Sequence, residues 1–285
     1  MFDFPEVLIP LGDWINIGVD WLTRNLAPLF DGITIAIREP LVRIERTLWW
    51  LPWWSIIIIF AGVSWRFAGR GVALLVLFGM VFIGAMGLWD DTMTTLAIIV
   101  TAVAVSLLIG IPTGIFAAKS DRFEKILRPF LDGMQTMPSF VYLIPAVFFF
   151  GLGKVPAVVA TFIYAVPPSI RLTNLGIRQV AAEVVEAGKA FGCTSWQLLF
   201  KIQLPLARPS IMAGVNQTIM MALAMVVIAS MIGASGLGLE VLRGIERLDV
   251  GRGFIAGISI VILAIMIDRV SQSLGKTRGI SRPSK

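Results

Sequence analysis

From Thr94 to Ala118 the chain runs for 25 residues without a single charge. A bilayer's hydrocarbon core takes about 20 mostly apolar residues per helical crossing. Lipid offers no partner to an unpaired backbone amide, so only helices and closed barrels cross it. Runs of similar character recur from Trp49 to the end of the sequence. Composition agrees: the 285 residues are 57% hydrophobic and 15% charged, against roughly 45–50% and about 25% in an ordinary globular domain. Mean hydropathy is +0.85. The chain reads as an all-α, polytopic membrane protein.

The apolar runs predict seven spans, approximately Thr47–Trp65, Gly71–Leu88, Thr94–Ala118, Met134–Gly151, Val155–Leu172, Ile211–Gly233 and Phe254–Val270. Arg66 to Arg70 is too short for anything but a tight turn between antiparallel helices. Sixteen Lys and Arg fall on the side of that turn, of Lys119–Arg128, of Arg171–Arg208 and of the tail from Arg269. Eight fall on the other side, four of them Arg24, Arg38, Arg43 and Arg46. The positive-inside bias then puts the C-terminus in the cytoplasm and the N-terminus outside, as an odd number of spans requires.

Residues 1–46 are expected to form an extracytoplasmic, interfacial segment before a membrane domain over 47–285. No secretory leader is expected, because Asp3, Glu6, Asp13 and Asp20 interrupt the start of the chain. Val19, Leu22, Leu26, Leu29, Ile33 and Ile37 line one helical face, and Pro28 divides it into two short helices. Such a segment either lies on the membrane surface or packs on the spans. The run Trp49-Trp50-Leu51-Pro52-Trp53-Trp54 fits an aromatic belt at the membrane boundary or a cation–π site.

Several chemistries are excluded. The chain has no histidine and a single cysteine, Cys193, which removes imidazole catalysis, internal disulfides and thiolate metal clusters; no metal site is expected. The net charge of +6 belongs to span ends, without the basic stripe and interleaved aromatics of a nucleic-acid binder.

The connection between the fifth and sixth spans carries the most specific pattern. Val180, Val184, Ala187 and Phe191 form one helical face that Gly192 ends. Thr194 or Ser195 then caps a second helix bearing Trp196, Leu199, Phe200 and Ile202 until Pro205 interrupts it. Glu186-Ala187, then Gly192, then Ile202-Gln203-Leu204-Pro205 after nine residues, resembles the coupling (EAA) loop of ABC importer permeases, here over 176–206. Gly188 replaces the usual third alanine. From Leu96 to about Gln272 the sequence is further similar to glycine betaine/proline permeases of osmoprotectant importers, as in Met137-Pro-Ser-Phe-Val-Tyr142, Ile211 to Thr218 and Val241 to Asp249.

That resemblance implies a type I importer permease working by alternating access: two copies of this chain in membrane lipid, two ATPase subunits below and an extracytoplasmic substrate-binding protein above. ATP and magnesium would belong to the ATPase, with no cofactor in this chain. Glu186, Ala187, Gly188, Phe191, Gly192, Cys193, Thr194 and Ser195 would couple to the ATPase, although Glu186 is equally placed to pair with Lys189. The chain has no phosphate-binding loop: Gly275-Lys276-Thr277 lacks the preceding glycine, since Val270 stands there. Met137, Tyr142, Phe148, Asn216, Met220 and Met221 are candidates for a weakly polar pathway, or for packing between helices. Pro138, Pro145, Pro156 and Pro167-Pro168 are expected to kink their helices. After the glycine-rich stretch from Gly233, Leu239, Leu242, Ile245 and Leu248 predict an amphipathic outer gate helix. Its charges, Glu240, Arg243, Glu246 and Arg247, would receive the receptor or face solvent. An ion-coupled secondary carrier and a membrane scaffold are the competing classes.

Overall fold

The computed structural model describes residues 10–275; Asp3, Glu6, Lys276 and Thr277 lie outside the described residues. Thirteen α-helices and no strand occur among them. They are α1 Leu11–Asn25, α2 Ala27–Trp50, α3 Trp53–Ala68, α4 Arg70–Ala85, α5 Trp89–Lys119, α6 Asp121–Thr136, α7 Leu143–Phe150, α8 Lys154–Arg178, α9 Ala182–Ala190, α10 Ser195–Leu198, α11 Leu204–Ala229, α12 Leu237–Glu246 and α13 Val250–Gly275. A 3₁₀ turn at Ser139–Tyr142 precedes α7, and a π turn at Leu199–Gln203 joins α10 to α11.

Helices in lipid gain little from burying apolar area against one another, so close backbone approach through small residues has to hold them. The centre of the bundle obeys that rule. On α5, Gly110 and Gly114 face α8: a Cβ at Gly110 would stand 1.9 Å from Ser169 Oγ, and one at Gly114 only 2.6 Å from the Ile170 carbonyl. Between α8 and α11, Gly176 meets Ser210 and the Ala207 carbonyl, and Gly214 meets Leu172 and the Pro168 carbonyl. Around this triad Ala97, Ile98, Ala157, Val158, Leu223 and Ala229 form the central core.

Among the described residues, four helical stretches are long and apolar enough to cross a membrane unaided: α5, α8, Ser195–Ile232 and Val250–Ser273. Two bent pairs bring the number to six if each is one crossing. Two of the seven expected spans are therefore not single helices. Thr47–Trp65 breaks between α2 and α3 with a bend of 107°, and Met134–Gly151 breaks between α6 and the segment after it with a bend of 110°. Each break falls on a residue preceding proline, Leu51 (ψ 132°) and Met137 (ψ 136°); the proline ring pushes such a residue out of the helical region. Only Pro138 among the expected kinks breaks a helix. Pro145 and Pro156 occupy the first turns of α7 and α8, where an N–H has no helical acceptor anyway, while Pro167 and Pro168 lie inside α8.

The turn between α3 and α4 is a single residue, Gly69, at φ 95°. These two helices form their own apolar cluster, with Ile56, Ile57, Val76 and Met80 packing on Met266 of α13. At the N-terminus, Leu26 separates α1 from α2, and Pro28 lies in the first turn of α2, but α2 is not short: it runs 24 residues through Pro40. Its Ile37 and Leu41 enter the central core, and Phe30 stacks on Phe149. By contrast, α1 buries none of its side chains.

Because the neighbour of Gly114 is backbone, it cannot step aside. Gly114→Ala is expected to destabilise the bundle by about 1–3 kcal/mol, the usual cost of overpacking. Gly62→Ala on α3, where nothing lies within 4 Å of the added carbon, is expected to stabilise by up to about 1 kcal/mol through helix propensity. The melting temperature of the purified protein in detergent, falling for the first variant and not for the second, checks both.

Candidate functional site

The pattern around Glu186 folds as a compact knob. Helix α9 ends at Ala190 with Phe191 as its C-cap, and Gly192 turns the chain at φ 78°. Thr194 is the cap: its hydroxyl accepts from the Gln197 amide at 3.3 Å, and the Gln197 side chain accepts from the Thr194 amide at 2.9 Å. This reciprocal pair satisfies two amides that a helix start leaves unpaired. Pro205 does not interrupt the helix that Thr194 caps. The π turn at Leu199–Gln203 supplies the wider helical ring, Pro205 lies in the first turn of α11, and the chain stays helical from Ser195 to Ile232. Gly188 is buried, with Leu198 and Ile202 only 2.8 and 2.6 Å from where a Cβ would stand. Here the missing methyl lets α9 close onto α10.

The outward face of the knob is equally specific. Phe191 is 89% exposed and Trp196 66%, with Glu186, Ala187, Gly192, Thr194 and Ser195 also exposed and Cys193 half-buried. Glu186 has no ion-pair partner among the described residues, Lys189 included. The base of the knob is tied to the bundle by residues that the sequence pattern did not mark. Arg178, at the end of α8, donates to Asp121 at 2.7 Å and to the Ala117 carbonyl at 2.8 Å, and pairs with Glu124 at 3.1 Å. Asn174 donates to Glu124 at 3.0 Å. Lys119 sits over the Trp196 ring at 4.5 Å, and that ring stacks on Phe200. The ends of α5, α6 and α8 are thereby joined to the knob's entry and exit.

At the opposite end of α5, the expected gate helix is α12, but its buried face is not the apolar stripe. Ile245 is 65% exposed and Leu248 87%, whereas Leu237, Gly238, Glu240 and Gly244 are buried. Close approach decides the face: Gly238 lies against the backbone of Val227 and Gly244 against that of Gly253, which no larger residue would permit. Glu240 is no free docking charge. Arg243 and Arg252 each donate to it at 2.6 Å, closing α12 onto α13. Burial pushes the Glu240 carboxyl up, yet the two guanidiniums outweigh it and hold the group below its ordinary 4.5. Glu246 and Arg247 are exposed. The stretch before α12 turns at Gly233 and Gly236, at φ 82° and 116°. It is pinned to α5 where the Leu237 amide donates to Thr95 Oγ1 at 2.8 Å.

The six pathway candidates do not converge within one chain. Tyr142 is buried and donates its hydroxyl to the Met134 carbonyl. Asn216 donates to Asp268 of α13 at 3.3 Å and accepts from Ser271. Met221 is half-buried, while Met137, Phe148 and Met220 point outward, 42%, 61% and 44% exposed. Leu223, on the face of Asn216, belongs to the central core.

A second buried carboxylate lies near Thr95. Glu45 of α2 accepts from Thr94 at 2.9 Å and from Lys154 at 2.5 Å. The signal for it was present: Glu45 falls on the same helical face as Ile37 and Leu41, where only an internal partner tolerates a charge.

A carboxyl held below 4.5 contributes stability that is complete above that pH and lost as the pH falls through its lowered value. Glu240→Gln is therefore expected to lower the melting temperature at pH 7, and the gap to the unmodified protein should close below pH 4.5. Melting curves of both proteins in detergent from pH 7 down to pH 3 check this; a constant gap contradicts the clamp.

The family model described as binding-protein-dependent transport system inner membrane component matches residues 110–277. The chain is 50% identical over 273 residues to the glycine betaine/proline betaine transport system permease protein ProW of Escherichia coli (strain K12), covering 96% of this chain and 77% of that protein. It is 48% identical to the glycine betaine transport system permease protein OpuAB of Bacillus subtilis (strain 168), covering 95% and 97%. The trimethylamine N-oxide transport system permease protein TmoV of Ruegeria pomeroyi is 39% identical over 94% of this chain and 43% of its own length. Among solved structures, a chain of the inward-facing MetNI methionine ABC transporter superposes with a TM-score of 0.59 at 19% identity, covering 64% of this chain and 91% of its own. The fold is that of a type I ABC permease, and the chain belongs to the family of inner membrane components of binding-protein-dependent transport systems.

Proposed function

We propose that this chain is the membrane subunit of an ATP-driven importer that moves a betaine-like osmolyte, glycine betaine, proline betaine or a related methylated amine, by alternating access. The observation that carries the mechanism is the knob. A rigid pair of short helices with an exposed aromatic at its tip, tied to the ends of α5, α6 and α8, suits a groove on a partner far better than it suits solvent. The substrate class rests on the relatives: proteins about half identical over nearly the whole chain are permeases of glycine betaine and proline betaine systems.

In this reading α3, α4, α5, the broken α6–α7 segment, α8, α11 and α13 make seven crossings, with the N-terminus outside and the C-terminus in the cytoplasm. Two copies form the pathway, so that Met137, Phe148 and Met220 face the partner copy or the route between the two. ATP and magnesium are held by two separate ATPase subunits seated on the knobs, and an extracytoplasmic substrate-binding protein delivers the solute. Closure of the ATPase dimer on ATP displaces the knobs and favours the outward-facing state in proportion to its affinity difference between states. Glu186, Ala187 and Phe191 make the contact, Gly188 and Gly192 shape the corner, and Thr194 with Ser195 starts the second helix.

Phe191, exposed in the isolated chain, resembles the buried aromatic anchors that dominate interfaces once a partner covers them. Phe191→Ala is expected to leave the yield and melting temperature of the permease unchanged and to lower ATP-driven uptake about tenfold or more, the equivalent of about 1.4 kcal/mol of contact. Uptake of radiolabelled glycine betaine into proteoliposomes containing permease, ATPase and receptor checks it. Gradient-driven uptake by the permease alone overturns the importer reading; ATP-driven uptake of a different methylated amine moves only the substrate.

A further inference from the structure

The exposed face of α2 calls for a partner. Ile35, Arg38, Glu39, Val42, Arg43 and Arg46 line a shallow groove on the side of α2 away from Ile37, Leu41 and Glu45. All three arginines are exposed, and among the described residues Arg43 pairs only with Glu39, at 3.2 Å between side chains that are 80% and 62% exposed. Arg38 and Arg46 have no ion-pair partner among the described residues.

Three features set this face apart from a solvated helix surface. First, it is held rigidly. Glu45, buried one residue before Arg46, is bound by Thr94 and Lys154, Phe30 stacks on Phe149 at 4.6 Å, and α2 turns 107° away from α3, so the arginines are presented from a fixed rod. Second, it stands at the gate. Glu45 takes Thr94 while the start of α12 takes Thr95, so α2 and the gate helix are seated on the same turn of α5. Third, its charge runs against topology: a short outer segment is expected to be poor in arginine, yet three arginines face one glutamate here.

We propose that the Arg38/Arg43/Arg46 face of α2 is a docking surface for the extracytoplasmic substrate-binding protein, which meets it with a carboxylate-rich patch. This rests on the importer reading above and names a second surface for the receptor beside the exposed Glu246 and Arg247, since Glu240 is taken up by Arg243 and Arg252. Glu39, set among the arginines, suits a protein of mixed charge better than a layer of lipid phosphates. Complementary charge of this kind steers encounter and weakens with salt.

The test is a titration of the substrate-binding protein against proteoliposomes that carry the permease with its ATPase, reading ATP-driven uptake at two salt concentrations. The double variant Arg38→Glu/Arg46→Glu is expected to raise the half-saturating receptor concentration about tenfold at low salt, an effect in the range of rim charges, with saturating receptor restoring the rate. Arg38→Lys/Arg46→Lys, which keeps the charge, should behave like the unmodified protein. An unchanged half-saturation in the charge-reversed variant overturns the docking proposal and leaves the importer reading intact. A defect that appears only in vesicles containing phosphatidylglycerol, and not in zwitterionic ones, overturns it in favour of lipid contact. No receptor-dependent uptake by the unmodified protein removes the importer reading itself.

Discussion

Everything else in this molecule hangs on the contact between α5 and α8 at Gly110 and Gly114. Lipid tails compete with side chains on equal terms for apolar contact, so a helix in a bilayer is held by van der Waals approach and by hydrogen bonds. At Gly114 the approach is so close that a methyl group would overlap the Ile170 carbonyl. The same device repeats on the far side of α8, where Gly176 and Gly214 admit α11. The result is a three-helix slab whose members cannot slide without losing these seats, while the hairpin of α3 and α4 packs on α13 beside it.

Helix α5 is what lets the slab serve two ends at once. Its 31 residues make a rod of about 46 Å, longer than the hydrocarbon core, so both of its ends reach polar surroundings. One end carries Thr94 and Thr95, which take Glu45 and the amide that opens α12. The other carries the Ala117 carbonyl and Lys119, which take Arg178 and Trp196. The knob and α12 therefore touch a common helix.

Much of this was legible in the sequence, and the failures have physical causes. Charge-free length located the four long apolar stretches because lipid sets that length directly. The knob was legible because a cap at Thr194, a stop at Gly192 and small residues on one face are each local signals. Pro138 pointed to the break after Met137, whereas the break at Leu51, written in its Leu-Pro step, was overridden by apolar continuity, which says what a segment can dissolve in and not whether it is straight. The face of α12 was misread for a deeper reason. Periodicity ranks faces by side-chain hydrophobicity, whereas Gly238 and Gly244 bury theirs by having no side chain at all. Arg178 was invisible, because a basic residue at a helix C-terminus looks the same whether it meets solvent or the carboxylates of another helix.

The end of the bundle that bears Thr94 and Thr95 also shows why buried charge is tolerated where an apolar contact would seem safer. Glu45 and Glu240 are both nearly inaccessible, and each is held by cations from a different helix. Such pairs contribute little net stability, since desolvation offsets most of the attraction. Their contribution is direction. An apolar contact between α2 and α8, or between α12 and α13, would permit rotation and sliding at little penalty, whereas a carboxylate shared between Thr94 and Lys154, or between two guanidiniums, fixes the register of the helix that bears it. Two weakly stabilising but strongly orienting contacts at the same end thereby set where α2 and α12 sit on the bundle.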